Sequence, residues 1–249
     1  MLRKLAVFAA FAATLIVGSD IASAGNLKGK FVYDGKAPAP AKLTINKDPE
    51  VCAVFNLVDE SLLVDANGGL ANVVIYCRTP SMTITPEMQE LAKQQVVLDN
   101  KNCQFVPHIA LVWLPQTLVI GNADPVAHNS NMQPLADLGI NPLIAAGSKV
   151  EHTFRRSQTI PQPVTCNIHP WMKAYVLPRD NPYMAVSAAD GTFEITGLPA
   201  GEFEFGTWHE KAGYLTVNDW ASGRFKKTIP ATGDVDIGVI KVPPALLSK

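Results

Sequence analysis

The stretch Cys166-Asn-Ile-His169-Pro-Trp-Met172 brings a thiolate, an imidazole and a thioether into seven consecutive positions, and a second imidazole, His128, lies 38 residues before the cysteine. Side chains this close in sequence must come from one tight loop between two strands, and such a loop cannot encircle an ion alone. Cysteine sulfur and histidine nitrogen suit both Cu(I) and Cu(II), and a weak axial Met leaves the metal nearly trigonal. The pattern predicts a mononuclear copper site with the ligands His128, Cys166, His169 and Met172.

Other interpretations of these residues remain open. A lone Cys, Met or His usually belongs to a core, although four of them in this order are less expected by accident. Zinc in a Cys-His-His site is the main competing metal. A degenerate site that binds no metal is the other alternative. The sequence contains no Cys-x-x-Cys-His motif, which argues against haem.

Four stretches carry a resemblance to the cupredoxins: Phe105-Val-Pro107, Gln116–Asp124, Ala127-His128-Asn129 and Val164–Met172. They follow one another as strand, strand, first histidine and ligand loop, within residues 98–180. The resemblance implies one type 1 (blue) copper ion per chain, and the Cys-x-x-His-x-x-Met spacing is the short loop of amicyanin-like members. The chain departs from the family at Asn129-Ser130-Asn131, since an apolar residue is commoner after the first histidine.

Neighbouring residues are expected to support this site. Asn129 can hold the ligand loop through side-chain hydrogen bonds, and Pro170 restricts the loop and so limits its reorganisation on electron transfer. By resemblance to the cupredoxins, His169 and Trp171 form an electron port at which a redox protein docks weakly and transiently. We find no nucleophile–base pair, carboxylate dyad or substrate-binding motif in the sequence, so we expect an electron carrier rather than an enzyme.

Two further stretches, Gly29–Pro38 and Ala188–Phe203, resemble the two ends of the carboxypeptidase-regulatory or transthyretin-like sandwich. The resemblance implies that residues 25–80 and 183–245 form one sandwich and that residues 81–182 are a copper domain inserted into one of its loops. Insertion is tolerated because the termini of a domain often lie close together. The combination resembles secreted bacterial cupredoxin proteins of the methylamine-utilisation type.

Short apolar runs separated by turn residues predict a mainly β protein. The chain has 17 Gly and 19 Pro, and segments such as Glu202–Phe205 alternate charged and aromatic residues, as half-buried strands do. We expect two antiparallel β-sandwiches, one a Greek-key cupredoxin domain and the other transthyretin- or immunoglobulin-like. One short helix is predicted at Thr85–Val96, where Pro86 follows a candidate N-cap.

The first residues are typical of a leader peptide. A positive start at Arg3-Lys4 precedes the apolar run Leu5–Gly18, and Ala22-Ser-Ala24 is a small-residue cleavage signal, with the cut expected before Gly25. An uncleaved membrane anchor is the alternative, but the run is shorter than the roughly 20 residues a span needs. We therefore expect a periplasmic or secreted protein with no membrane span after cleavage.

An oxidising compartment permits disulfides. Cys52 and Cys103 lie in polar, loop-like surroundings and are expected to pair, whereas Cys77 ends an apolar run and is expected to be buried and free. The formal net charge is −1, so nothing indicates nucleic acid or an anionic membrane as a partner.

Two other groups of residues suggest further roles. His108, His209 and Glu210 could form an accessory metal or docking site near the copper, although structural roles for them are commoner. Exposed aromatic residues in a cleft, with Trp208, Tyr214 and Trp220 as candidates, would favour a carbohydrate- or surface-binding module with an incidental metal site. Storage or delivery of copper is a third possible function.

Overall fold

The structure, a computed structural model, describes residues 24–248, so the predicted leader lies outside the described residues apart from Ala24. Its strands are β1 Ala24–Tyr33, β2 Val74–Cys77, β3 Val96–Lys101, β4 Gln104–Val106, β5 Ile109–Trp113, β6 Leu118–Asn122, β7 His128–Asn129, β8 Asn131–Met132, β9 Leu143–Ile144, β10 Lys149–His152, β11 Gln162–Thr165, β12 Lys173–Arg179, β13 Met184–Val186, β14 Thr192–Pro199, β15 Gly201–His209, β16 Gly213–Tyr214, β17 Arg224–Ile229 and β18 Val235–Val242. The α-helices are α1 Pro49–Cys52 and α2 Pro86–Gln89, and single turns of 3₁₀-helix cover Ala53–Phe55, Glu90–Lys93, Ala221–Gly223 and Pro244–Leu246.

The helices are shorter and more numerous than the sequence predicted. The predicted helix at Thr85–Val96 is a single α-helical turn, α2, followed by a 3₁₀ turn, because Gln94 is already extended as the chain approaches β3. The helix α1 was not predicted, since one turn leaves no periodic pattern. Proline occupies the first turn of both helices, where its missing N–H costs nothing.

The first sandwich packs the sheet β14-β1-β18 against the sheet β13-β2-β15-β16, with β17 also paired to β15. Its core takes side chains from both sheets, among them Phe31, Phe193, Ile75 and Phe205. The strands nearest the two ends of the chain, β1 and β18, pair in parallel. The side chain of Met88, from the helix α2, is buried in the same core.

The second sandwich is made by residues inserted between β2 and β13. The sheet β10-β6-β3-β4 faces the sheet β5-β12-β11-β8, and buried side chains from both sheets, such as Leu98, Ile120, Val112 and Val176, fill the space between them. The pairs β3–β6 and β5–β12 are parallel, and the other pairs in these two sheets are antiparallel. The mainly β, two-sandwich prediction is confirmed, with these parallel pairs added to it.

The two sandwiches share an apolar interface. Val74 and Tyr76 of β2 and Trp208 of β15 pack against Tyr175 and Leu177 of β12 in one cluster. The strand β2 is therefore buried on both faces, and all four of its residues are buried, as is usual for a strand with an uninterrupted apolar sequence. Within residues 24–248 we find no helix with the length and apolar content needed to cross a bilayer.

Candidate metal centre

Three of the four predicted ligands converge at one end of the second sandwich. His128 opens β7, Cys166 directly follows β11, and His169 lies in the loop before β12. Nδ1 of His128 is 4.0 Å and Nδ1 of His169 is 3.7 Å from Sγ of Cys166. All three ligand atoms lie within 4.8 Å of one another and all three residues are buried.

These spacings fit one metal ion in contact with all three atoms, because metal–sulfur and metal–nitrogen bonds to such residues are about 2.3 and 2.0 Å long. The fourth predicted ligand, Met172, is 1% exposed and packs in the same core cluster as Cys166. Its backbone closes the loop: the N–H of Met172 donates to the carbonyl of His169 at 2.9 Å, and the N–H of Cys166 donates to the carbonyl of Met172 at 3.3 Å.

Asn129 fixes the ligand loop from the neighbouring strand β7. Its Oδ1 accepts the backbone N–H groups of Asn167 at 2.8 Å and Ile168 at 3.3 Å, and it lies 3.4 Å from Sγ of Cys166. Its Nδ2 donates to Oδ1 of Asn141 at 2.6 Å. This is the arrangement in which Asn129 was predicted to support the site. Pro170 is exposed at the tip of the loop.

His128 is held by a carboxylate behind it. Its Nε2 lies 3.0 Å from Oδ2 of Asp124, and that carboxylate also accepts the backbone N–H groups of Asn102 at 2.6 Å and Cys103 at 2.8 Å. The N–H of Asp124 donates to Oδ1 of Asn122, the last residue of β6. Burial, helped by the nearby His169 ring, lowers the pKa of His128, which favours the neutral imidazole that binds metals.

His169 is held in the same way, which the sequence did not predict. Its Nε2 lies 2.9 Å from Oδ2 of Asp48. The hydrogen bond to His169 lowers the pKa of the Asp48 carboxyl. The imidazole is fully buried and Asp48 covers its outer edge, so His169, which was expected to form an electron port with Trp171, does not itself reach the surface. Trp171 remains half-buried, with its ring centroid 5.2 Å from that of His169.

Both hydrogen bonds select the same tautomer. A carboxylate can only accept a hydrogen bond, so each Nε2 carries the hydrogen and each Nδ1 keeps its lone pair. In both rings that Nδ1 is the atom that faces Sγ of Cys166. The pair of carboxylate–histidine contacts therefore presents two nitrogen donors and a sulfur donor to one point.

Asp48 belongs to residues 43–57, here called the strap. The ends of the strap lie side by side, since the N–H of Leu43 donates to the carbonyl of Leu57 at 3.0 Å. Leu57 is buried in a small apolar cluster together with Cys103, and Trp171 packs on that cluster. The Nε1–H of Trp171 donates to the carbonyl of Cys103 at 3.0 Å.

A disulfide attaches the strap to the second sandwich. Cys52 and Cys103 are bonded at an S–S distance of 2.01 Å with Cα atoms 5.4 Å apart, which is the pairing that the sequence predicted. Cys77 is buried and free. A second group, Cys103, Asp124 and His128, also lies close enough to hold a metal, but the sulfur of Cys103 is occupied by the disulfide.

Two of the three accessory candidates, His108 and Glu210, form an ionic cluster beside the site. Nε2 of His108 is 3.1 Å from Oε1 of Glu210, and its Nδ1 is 3.6 Å from Oε2 of Glu60. Burial alone would lower the pKa of His108, but the two carboxylates outweigh it and raise the pKa to about 9. Burial would likewise raise the pKa of Glu210, whereas His108, with Lys173, lowers it to about 2.

His209 does not join this cluster as a ligand. It is 1% exposed, its Nδ1 accepts the N–H of Lys211 at 3.3 Å, and burial lowers its pKa to about 4. His108 and Glu210 line a cavity of about 340 Å³ that Trp171 and Met172 also line. They therefore lie near the loop that carries Trp171 and Met172, but both nitrogens of His108 already face carboxylates.

The aromatic residues considered for carbohydrate binding are not gathered in a cleft. Trp208 is 5% exposed and packs in the interface between the sandwiches. Trp220 stacks on Phe225 at a centroid distance of 4.1 Å, and Tyr214 is half-buried on β16. A cavity of about 580 Å³ on the first sandwich has Phe193 as its one aromatic lining residue.

No protein-family model and no curated protein matches this chain, but solved structures of copper proteins match parts of it. A copper-containing nitrite reductase from Thermus scotoductus SA-01 is 18% identical over 34% of this chain and 22% of its own, with a TM-score of 0.32. A purple cupredoxin from Nitrosopumilus maritimus is 23% identical over 34% of this chain and 98% of its own, with a TM-score of 0.28.

A mutant of amicyanin in its reduced state is 18% identical over 42% of this chain and 98% of its own, with a TM-score of 0.31. This chain thus spans about a fifth of the nitrite reductase and nearly the whole of the two small copper proteins. The identities and TM-scores are low, so the assignment of a metal depends on the geometry of the four residues His128, Cys166, His169 and Met172.

Proposed function

We propose that this protein is an exported carrier of single electrons that uses one copper ion. The observation that supports this most directly is the approach of the Nδ1 atoms of His128 and His169 to within 4.0 Å of Sγ of Cys166 in a buried site. Copper, when bound there, would supply the one-electron chemistry of the Cu(II)/Cu(I) couple.

Each residue of the site has a role in this proposal. Cys166 offers the thiolate, which provides the strongest electronic coupling, and the two histidines complete a plane of donors with it. Met172 offers a weak axial thioether. The hydrogen bonds of Asn129 to the ligand loop and the carboxylates behind both histidines hold these donors in place in either oxidation state. A site that changes little in shape exchanges electrons quickly.

The donor set favours copper over zinc. Zinc accepts Cys and His ligands equally well, but structural zinc sites are closed by a fourth strong ligand from Cys, His or a carboxylate. Here the fourth residue beside Cys166 is Met172, whose soft thioether suits copper. Asp48 and Asp124 engage the outer nitrogens of the histidines rather than the space between the three donors.

Trp171 is the proposed port for electrons, since His169 is covered. Its half-buried ring lies against His169 and also lines the 340 Å³ cavity, and Pro170 beside it is exposed. A redox protein that docks weakly at this surface is the proposed partner. The Cys52–Cys103 disulfide supports export, because such bonds persist in oxidising compartments such as the periplasm.

A visible spectrum of the copper-loaded protein tests the proposal. We expect intense charge-transfer absorption from thiolate to Cu(II) that disappears in Cys166→Ser, together with reversible one-electron reduction. Cys77→Ala is the matched control, because Cys77 is the other buried free cysteine, and it should keep the absorption. A wild-type protein that binds zinc more tightly than copper, or that gives no such band, would contradict the proposal.

Storage or delivery of copper predicts a different behaviour. Such a role requires Cu(I) that leaves easily, whereas all three donors are buried and the strap covers one of them. Slow loss of copper to a soluble chelator in both oxidation states would support the role of an electron carrier. Rapid loss of Cu(I) would favour delivery instead.

A further inference from the structure

Asp48 reaches the metal site from outside the second sandwich. Asp48 lies 121 positions before His169 in the sequence. The strap that contains it connects β1 to β2, and both of these strands belong to the first sandwich. Within residues 24–248, the carboxylate of Asp48 is nevertheless the hydrogen-bond partner of Nε2 of His169, at 2.9 Å. A residue of the segment between β1 and β2 thus completes a site whose proposed ligands all belong to the second sandwich.

We propose that Asp48 is a positioning residue, which fixes the tautomer of His169 and closes the outer edge of its ring against water. The geometry for this is specific. With Nε2 donating to Asp48 at 2.9 Å, Nδ1 is left unprotonated and faces Cys166 at 3.7 Å. Without an acceptor at Nε2, the imidazole would be free to exchange its hydrogen between the two nitrogens.

The backbone conformation of the strap places the carboxylate of Asp48 beside His169. Asp48 has φ 45° and ψ 51°, in the left-handed region that Asp and Asn tolerate better than most residues. Pro49 follows it and opens α1, and the last residue of that helix, Cys52, is bonded to Cys103. The disulfide and the one-turn helix therefore hold Asp48 within four residues of a covalent attachment to the second sandwich.

Two substitutions at this position separate charge from hydrogen bonding. Asp48→Asn keeps an acceptor and tolerates the left-handed backbone, but it removes the negative charge. Asp48→Gly removes the acceptor as well and still accepts a positive φ without strain. Glu50→Gln is the matched control, because Glu50 is an exposed carboxylate on the same strap.

The first measurement uses the metal-free protein. Nitrogen-15 NMR of the histidine rings should show His169 of the wild type as a single Nε2–H tautomer whose hydrogen exchanges slowly with water. In Asp48→Gly we expect mixed tautomers and fast exchange, and in Glu50→Gln no change. A wild-type tautomer and exchange rate that persist in Asp48→Gly would overturn the proposal.

The second measurement uses the copper protein and therefore depends on the proposed function. We expect Asp48→Gly to weaken Cu(II) binding by about 10- to 100-fold, as the loss of partners behind metal-bound histidines usually does. Both Asp48 variants should have a higher reduction potential, because a negative charge near the site stabilises Cu(II). Potentials equal to that of Glu50→Gln would count against the proposal. If the wild type binds no copper, the proposed function fails, while the NMR result still decides the role of Asp48.

Discussion

Oδ2 of Asp124 lies 3.0 Å from Nε2 of His128, and the same carboxylate accepts two backbone N–H groups of the β3–β4 turn, from Asn102 and Cys103. One buried side chain therefore joins a proposed metal ligand to the turn that carries the disulfide. Because Asp48 makes the equivalent contact with His169, both imidazoles are oriented by carboxylates. The two sides of the site are coupled through Cys103, which contacts Asp124 by its N–H and Cys52 by its sulfur.

Asp124→Asn should weaken both the fold and the metal site. The carboxylate of Asp124 has two oxygens for the N–H groups of Asn102, Cys103 and His128, whereas the amide of Asn has one acceptor oxygen. At least one of these N–H groups therefore loses a good partner, which costs about 1–3 kcal/mol of unfolding free energy. Copper affinity should fall by about 10- to 100-fold. Urea unfolding of the metal-free protein and competition with a chelator measure the two effects. Glu87→Gln, an exposed carboxylate on α2, should change neither, and an Asp124→Asn protein as stable as this control would contradict the assignment.

Asn129→Ala should loosen the ligand loop. The substitution removes the oxygen that accepts hydrogen bonds from Asn167 and Ile168 and that lies near Sγ of Cys166. We expect a loss of about 1–3 kcal/mol in unfolding free energy and a shift of the copper absorption band and the reduction potential. Asn131→Ala is the control two residues further along, where the side chain accepts a bond from Gln133 at the surface. Spectra that match in the two variants would show that Asn129 does not tune the site.

The sequence indicated those candidate residues of this site that lie close together in the chain. Three donors in seven positions required one loop, and the polar surroundings of Cys52 and Cys103 distinguished them from Cys77. The role of Asp48 could not be read in the same way, because the residue lies far from His169 in sequence and its neighbourhood, Lys47-Asp48-Pro49, is an ordinary turn. The signal that could have found it was the predicted disulfide itself, which places residue 48 near the site through Cys52.

Local pattern also accounts for the limits of the fold prediction. Alternation and turn residues revealed the strands, but they contain no information on strand direction, so the parallel pairs β1–β18, β3–β6 and β5–β12 were not predicted. The burial of His169, one of the two residues of the expected electron port, was not predicted for a related reason. Burial of a loop residue depends on what a distant segment places over it, and here that segment is the strap.

The ionic cluster of His108 makes stability depend on pH. An unfolded histidine has a pKa near 6.5 and the folded one a pKa of about 9, so protonated His108 stabilises the fold fully below pH 6.5 and loses this contribution as the pH rises through 9. This difference in the pKa of His108 corresponds to about 3 kcal/mol of unfolding free energy. Glu210 acts in the opposite direction: its contribution is complete above pH 4.5 and is lost as the pH falls towards 2.

Glu210→Gln tests this cluster. The variant should lower the pKa of His108, measured by NMR, and flatten the decline of unfolding free energy between about pH 6 and about pH 10. Lys211→Gln is a control, since Lys211 lies next to Glu210 in sequence and also lines the cavity but forms no salt bridge within residues 24–248. A His108 pKa that stays near 9 in Glu210→Gln would assign the shift to Glu60 instead.

Removal of the disulfide should affect stability and the metal site together. The bond closes a loop between cysteines 51 positions apart, and on the chain-entropy estimate a loop of this size contributes about 4 kcal/mol. We expect a protein with both Cys52→Ser and Cys103→Ser to lose unfolding free energy of this order. It should also lose the fixed tautomer of His169, because the strap that carries Asp48 is no longer attached beside Cys103. Cys77→Ala should keep the tautomer. A double variant that is less stable but keeps a slowly exchanging Nε2–H on His169 would show that the packing of Leu57 and Trp171 on the strap is sufficient to hold Asp48 in place.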